Sequence, residues 1–92
     1  MGAIAAERAL VRGRVQGVGF RYHAAQRARG LGLVGWVRNV PDGRVELVVQ
    51  GAPEALEAFA AWLARGPAHA RVEGVERLPE EPGPYTGFEI RG

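Results

Sequence analysis

The sequence predicts an α+β fold: a β-α-β-β-α-β sandwich with two helices on one face of an antiparallel sheet and a short extra strand at the C-terminal end. Three observations carry this reading. Apolar residues alternate at period two from Glu7 to Gln16, they recur at i, i+3, i+4 and i+7 between Pro53 and Arg65, and Pro41-Asp42-Gly43 separates two Val-rich segments. The chain of 92 residues accommodates one small domain, expected to span residues 1–92, and a chain of this size buries roughly 60 to 65% of its unfolded surface.

The elements follow in order. In Glu7–Gln16, Ala9, Val11, Gly13 and Val15 share one face and Arg8, Arg12 and Arg14 the other, the pattern of a half-buried strand. Gly17-Val18-Gly19 then leads into Phe20–Arg29, whose Ala24, Ala25, Gln26, Arg27 and Ala28 favour a helix that stops at Gly30. Leu33–Val40 and the alternating Val45, Leu47 and Val49 form a hairpin. Pro53 starts a second helix, Glu54 and Glu57 suit the positive end of its dipole, and Leu56, Phe59, Ala60 and Leu63 form its apolar stripe up to Arg65-Gly66. Arg71–Leu78 reads as a strand with a bulge at Gly74, because Val72 and Val75 are spaced by three. Glu80–Pro84 reads as a solvated connector, and Tyr85–Arg91 as the closing strand. This is the order of a ferredoxin-like sandwich, in which the first and second strands run parallel with the third between them. The loop Gln16–Phe20 and Asn39 are therefore expected on the same sheet edge.

Composition narrows the chemistry. There is no Ser, Cys or Lys, which removes the three commonest protein nucleophiles, and Asp42, Asn39 and Thr86 are single copies. His23 and His69 stand far apart without Cys partners, so no metal is expected. All 12 basic residues are Arg and Asn and Met are scarce, a bias expected of a hot habitat or a GC-rich genome. No apolar run reaches the ~18 to 20 residues of a membrane span, and the first ten residues lack the pattern of a signal peptide. A cytoplasmic protein without a membrane partner is the expectation.

The net charge of +2 conceals an asymmetry. Residues 1–51 hold eight Arg against three acids and residues 52–92 hold four Arg against seven, so the first half attracts anions. Within it, Gln16-Gly17-Val18-Gly19-Phe20-Arg21 is a glycine loop entering a helix. Such a loop directs unpaired N–H groups and the positive helix end at a phosphate or carboxylate. Arg21 adds a planar bidentate donor, although a helix Arg is also an ordinary solvated residue and Gly17 and Gly19 also suit an ordinary turn. At the facing strand end, the neutral amide of Asn39 can orient a water without repelling an anion; it would equally serve to end a strand before Pro41.

Other patterns lose on context. Gly30-Leu31-Gly32-Leu33-Val34-Gly35 spells G-x-G-x-x-G but follows a helix and opens a strand, the reverse of a dinucleotide site. Gly17–Tyr22 loosely echoes an aromatic RNA-binding signature that belongs on a central strand, whereas here it enters a helix. His23 reads as a surface or partly packed residue, and Trp36, Phe59, Trp62 and Phe88 as packing.

Gly13-Arg14-Val15-Gln16-Gly17-Val18-Gly19-Phe20-Arg21 and Gly35-Trp36-Val37-Arg38-Asn39, followed by Gly43, Val45 and Gly51, resemble the two signatures of the acylphosphatases. The similarity spans nearly the whole chain. It implies hydrolysis of the carboxyl-phosphate anhydride of acyl phosphates without a metal or cofactor. In that reading Arg21 and the backbone amides of Gln16, Gly17, Val18, Gly19 and Phe20 grip the phosphoryl group, and Asn39 holds the attacking water. Inorganic phosphate or sulfate would occupy the same loop. A monomer acting on a small molecule, with no nucleic-acid partner, is the expectation. Val40 replaces a hydroxyl residue found in some relatives, and Ile90-Arg91-Gly92 replaces an aromatic C-terminus found in others. A non-catalytic phosphate-binding or regulatory module of the same fold remains the alternative, and a small RNA binder a third reading.

Overall fold

In the computed structural model, which describes residues 3–92, seven elements follow one another: β1 (Ala5–Arg14), α1 (Phe20–Gly30), β2 (Val34–Asn39), β3 (Val45–Gly51), α2 (Pro53–Arg65), β4 (Arg71–Pro79) and β5 (Phe88–Ile90). They form one five-stranded sheet in the order β4-β1-β3-β2-β5. β1 pairs antiparallel with β3 and β4, β2 pairs antiparallel with β3, and β5 lies parallel to β2. The predicted sandwich and its extra strand are both present.

Val45 sets the geometry of the functional edge. It faces Val11 of β1 on one side and Asn39 of β2 on the other, so Asn39 lies level with the last turns of β1 across one intervening strand. At about 4.8 Å per strand, that places Asn39 about 10 Å from β1, beside the loop that leaves it.

The core lies between the sheet and the two helices. Ala9, Val11, Val37, Val45, Leu47 and Val49 meet Leu56, Phe59, Trp62 and Leu63 of α2 and Ala24, Ala25 and Ala28 of α1. The alanines let α1 lie close on the sheet, and Phe20 at its start packs on Trp62 with ring centroids 5.8 Å apart. No helix among the described residues is long and apolar enough to cross a membrane.

The opposite face has its own packing. Trp36 is buried there rather than in the helix-side core, with the guanidinium of Arg91 4.7 Å and that of Arg38 5.9 Å from its ring centroid. Beside it Glu46, only 5% exposed, is bracketed by Arg8 and Arg38, the latter at 2.7 Å. A carboxylate this buried is tolerated only when paired, and removing either arginine leaves it under-compensated.

Several boundaries differ from the sequence reading for local reasons. β1 ends at Arg14, not Gln16, because the β1–β4 ladder skips a residue at Arg12/Gly13, leaving Glu73 unpaired, and stops at Arg14 opposite Arg71. The expected bulge is thus beside Gly74. Gly30 is the last residue of α1, and the reversal is made at Gly32 with φ 73°. β5 is confined to Phe88–Ile90. The connector before it is pinned, not free: Gln50 accepts from the Gly83 N–H at 2.8 Å and donates to its carbonyl at 3.0 Å.

At the sheet's outer edge Arg77 of β4 bridges Glu7 and Glu57, and its hydrogen bonds hold the Glu57 carboxyl below the usual range. A depressed carboxyl stabilises the fold above its unfolded value, 4.5, and ceases to as pH falls through the folded one. The stability difference between wild type and Arg77→Gln in urea melts should therefore be constant above about pH 5 and shrink toward pH 3. Gly35 gives a second prediction. At φ 135°, a Cβ there would stand 1.9 Å from the Val48 carbonyl oxygen, so Gly35→Ala should destabilise by about 3 kcal/mol and lower Tm by more than about 10 °C.

Candidate active site

The site is assembled from a loop, a helix start and a strand end. Val15, 1% exposed, anchors the loop in the core. The Gln16 amide ties it to the β2–β3 hairpin, donating to the carbonyls of Val40 at 2.7 Å and Arg44 at 2.9 Å. Gly17 and Gly19 then take φ of 75° and 78°, the left-handed region that costs an L-residue roughly 1–2 kcal/mol. Space is not the reason for glycine: nothing lies within 4 Å of a Cβ on Gly17, and one on Gly19 would meet only the His23 ring at 3.5 Å.

Gly19 is the N-cap of α1, and no side chain caps the helix. Its carbonyl accepts from the His23 backbone N–H at 3.1 Å and lies 2.8 Å from His23 Nδ1. Because C=O and N–H point opposite ways across a trans peptide, holding this carbonyl outward fixes the Phe20 N–H in the other direction. The N–H groups of Phe20, Arg21 and Tyr22 precede the first bond of the helical ladder. The first turn of α1 contains no acid, whereas that of α2 holds Glu54, so the positive helix end at this loop is left for an external anion.

Arg21, half-buried in that first turn, donates from Nη1 to the Arg91 carbonyl at 3.0 Å. One of its five N–H donors is thereby fixed, which orients the planar group and leaves the others for a ligand. Arg91 is itself held by its N–H to the Val37 carbonyl, 2.8 Å. Asn39 closes β2 opposite Val45, and its Oδ1 is buried with no hydrogen-bond partner among the described residues. A buried amide oxygen in that state calls for a donor from outside the protein, and water is the smallest.

Gly17, Gly19, Phe20, Arg21 and Asn39 line one cavity of about 210 Å³, together with Val15, Tyr22 and Ile90. Five of the seven residues expected at the site thus meet there. The other two do not line it: the Gln16 side chain is committed to the hairpin, and Val18 packs against the core. Phe20 also turns its ring into the core, so what it offers an anion is its backbone N–H. Sequence reasoning missed three contributors. The Arg91 carbonyl is a backbone group with no side-chain signal, whereas Tyr22 beside Arg21 and the apolar alternation ending at Ile90 were visible without their destination.

The acylphosphatase family model matches residues 7–90. The chain belongs to the acylphosphatase family. It is 54% identical over 80 residues to the acylphosphatase of Thermococcus kodakarensis, covering 87% of this chain and 88% of that one. The crystal structure of acylphosphatase from Bacillus subtilis superposes with a TM-score of 0.92 at 34% identity, covering 98% of this chain and all of that one. The fold also recurs inside a larger protein, the HypF of T. kodakarensis, with a TM-score of 0.85 at 34% identity over 96% of this chain and 12% of that one. Membership makes the chain a hydrolase acting on small acyl phosphates.

If left-handed backbone is what aims the amides, Gly17→Ala and Gly19→Ala should each weaken inorganic phosphate binding in calorimetry by about tenfold, with the larger loss at the N-cap Gly19. Ala at the neighbouring Val18, whose φ is not positive, should change phosphate affinity less than about twofold.

Proposed function

We propose that this acylphosphatase-family hydrolase binds the phosphoryl group of an acyl phosphate with Arg21 and the amides of Gly17 to Tyr22, while Asn39 holds the nucleophilic water. The observation that carries this reading is the unpartnered Oδ1 of Asn39 in the same cavity as Arg21 and the glycine loop. A water donating to that oxygen turns its lone pair toward the phosphorus. As the water oxygen bonds to phosphorus, the bond from phosphorus to the carboxyl oxygen breaks and a carboxylate leaves. Negative charge on the phosphoryl oxygens is met by the guanidinium and the amides, and the water's proton passes to a phosphoryl oxygen of the product. A carboxylate is a good leaving group, so positioning and charge stabilisation suffice without Ser, Cys or Lys.

In this reading the chain acts as a single domain and as a monomer in the cytoplasm, and phosphate or sulfate also occupies the loop. The all-Arg cation set fits an origin at high temperature or in a GC-rich genome.

The test is hydrolysis of benzoyl phosphate under chelator, followed by loss of its ultraviolet absorbance. Arg21→Ala should lose phosphate binding and at least about 10³-fold in kcat/KM, and Arg21→Lys should not restore it, because an ammonium lacks the bidentate fork. Asn39→Ala should keep phosphate affinity and lose about 10²- to 10³-fold in kcat. Wild-type turnover in either Ala variant would remove that residue from the mechanism.

A further inference from the structure

The cavity that holds Arg21 and Asn39 has an apolar mouth. Three large hydrophobic side chains among the described residues stand exposed: Ile4, Tyr22 and Ile90. Two of the three, Tyr22 at 57% and Ile90 at 43%, line this one cavity. They reach it from different elements, the first turn of α1 and the end of β5, whereas Ile4 precedes β1 at the strand end remote from the loop. A single exposed apolar side chain is commonplace; two converging beside a polar site signal a contact surface.

Tyr22 is exposed but not free. Gln26 Nε2 donates to its hydroxyl at 2.6 Å, and the His23 ring stands edge-on to it, 5.6 Å away at 87°. A ring already held in one orientation loses little freedom when a ligand packs on it. Three arginines that line the neighbouring surface cavity with Asn39 are engaged elsewhere. Arg91 lies over Trp36 and reaches Glu89 at 3.2 Å, and Arg8 and Arg38 share Glu46. A second anion on the acyl arm would therefore be partly desolvated against apolar surface, with none of these three free to pair with it.

We infer that Tyr22 and Ile90 form the acyl-binding wall and select acyl phosphates with an aromatic or branched aliphatic acyl group over those with an acetyl-sized or further charged one. This inference rests on the reading above, in which the loop and Arg21 take the phosphoryl end.

The test compares kcat/KM for benzoyl phosphate and for acetyl phosphate and reads their ratio, which a general loss of activity does not move. Tyr22→Ala should lower the benzoyl-to-acetyl ratio by about five- to tenfold and Ile90→Ala by about threefold. Tyr22→Phe, which keeps the ring, should retain the ratio. Ile4→Ala, an exposed apolar residue away from the site, should change neither the ratio nor the activity. Both wall residues are exposed, so thermal melts should show all four variants folded. A ratio unchanged in Tyr22→Ala and Ile90→Ala, with both constants falling together or not at all, would overturn the acyl wall while leaving acyl phosphate hydrolysis intact. Failure of the wild type to hydrolyse either substrate would instead overturn the functional reading itself.

Discussion

The insertion of β3 between β1 and β2 is the constraint on which the site depends. Because both neighbours run antiparallel to β3, their C-terminal ends emerge on one edge, and Val45 sets Asn39 level with Val11. β1 and β2 are joined through α1 and run parallel, so the strand end that carries Asn39 lies on the same edge as the loop that leaves β1. β5 then joins β2 in parallel and delivers the Arg91 carbonyl to Arg21 and Ile90 to the cavity. The five-residue loop between β1 and α1 and the Asn39 amide come to share one cavity through this strand order.

Electrostatics complements topology. Several arginines belong to pairs that fix the fold: Arg8 and Arg38 on Glu46, Arg44 on Asp42, Arg77 on Glu7 and Glu57. Arg21 makes no salt bridge among the described residues and instead donates to a backbone carbonyl that leaves its charge unneutralised. The acid-free first turn of α1 adds the helix dipole in the same place. The outcome is a positive point where α1 begins, suited to a small dianion.

Much of this was legible in the sequence where a signal is local. The bounds of α2 follow from Pro53 and Gly66, and the glycine loop, Arg21 and Asn39 stand out in a chain with little other chemistry. The parts that were not legible depend on distant or backbone partners. Glu46 sits in an apolar strand and is buried only because Arg8, 38 residues earlier, and Arg38 on the adjacent strand converge on it. The Gln16 side chain gives no local sign of its destination, the hairpin carbonyls of Val40 and Arg44. β1 stops early because Gly13, at φ 130° and hard against the Arg71 carbonyl, meets a bulge in β4 whose exact partner no single-strand pattern reveals.

In the proposed mechanism Asn39 delivers water to phosphorus while the loop and Arg21 hold the phosphoryl group. Hydrolysis of benzoyl phosphate in ¹⁸O-water, with mass analysis of both products, locates the attack. Attack at phosphorus predicts one labelled oxygen in the phosphate and none in the benzoate. Label in the benzoate would mean attack at the carbonyl carbon, and would contradict the role assigned to Asn39.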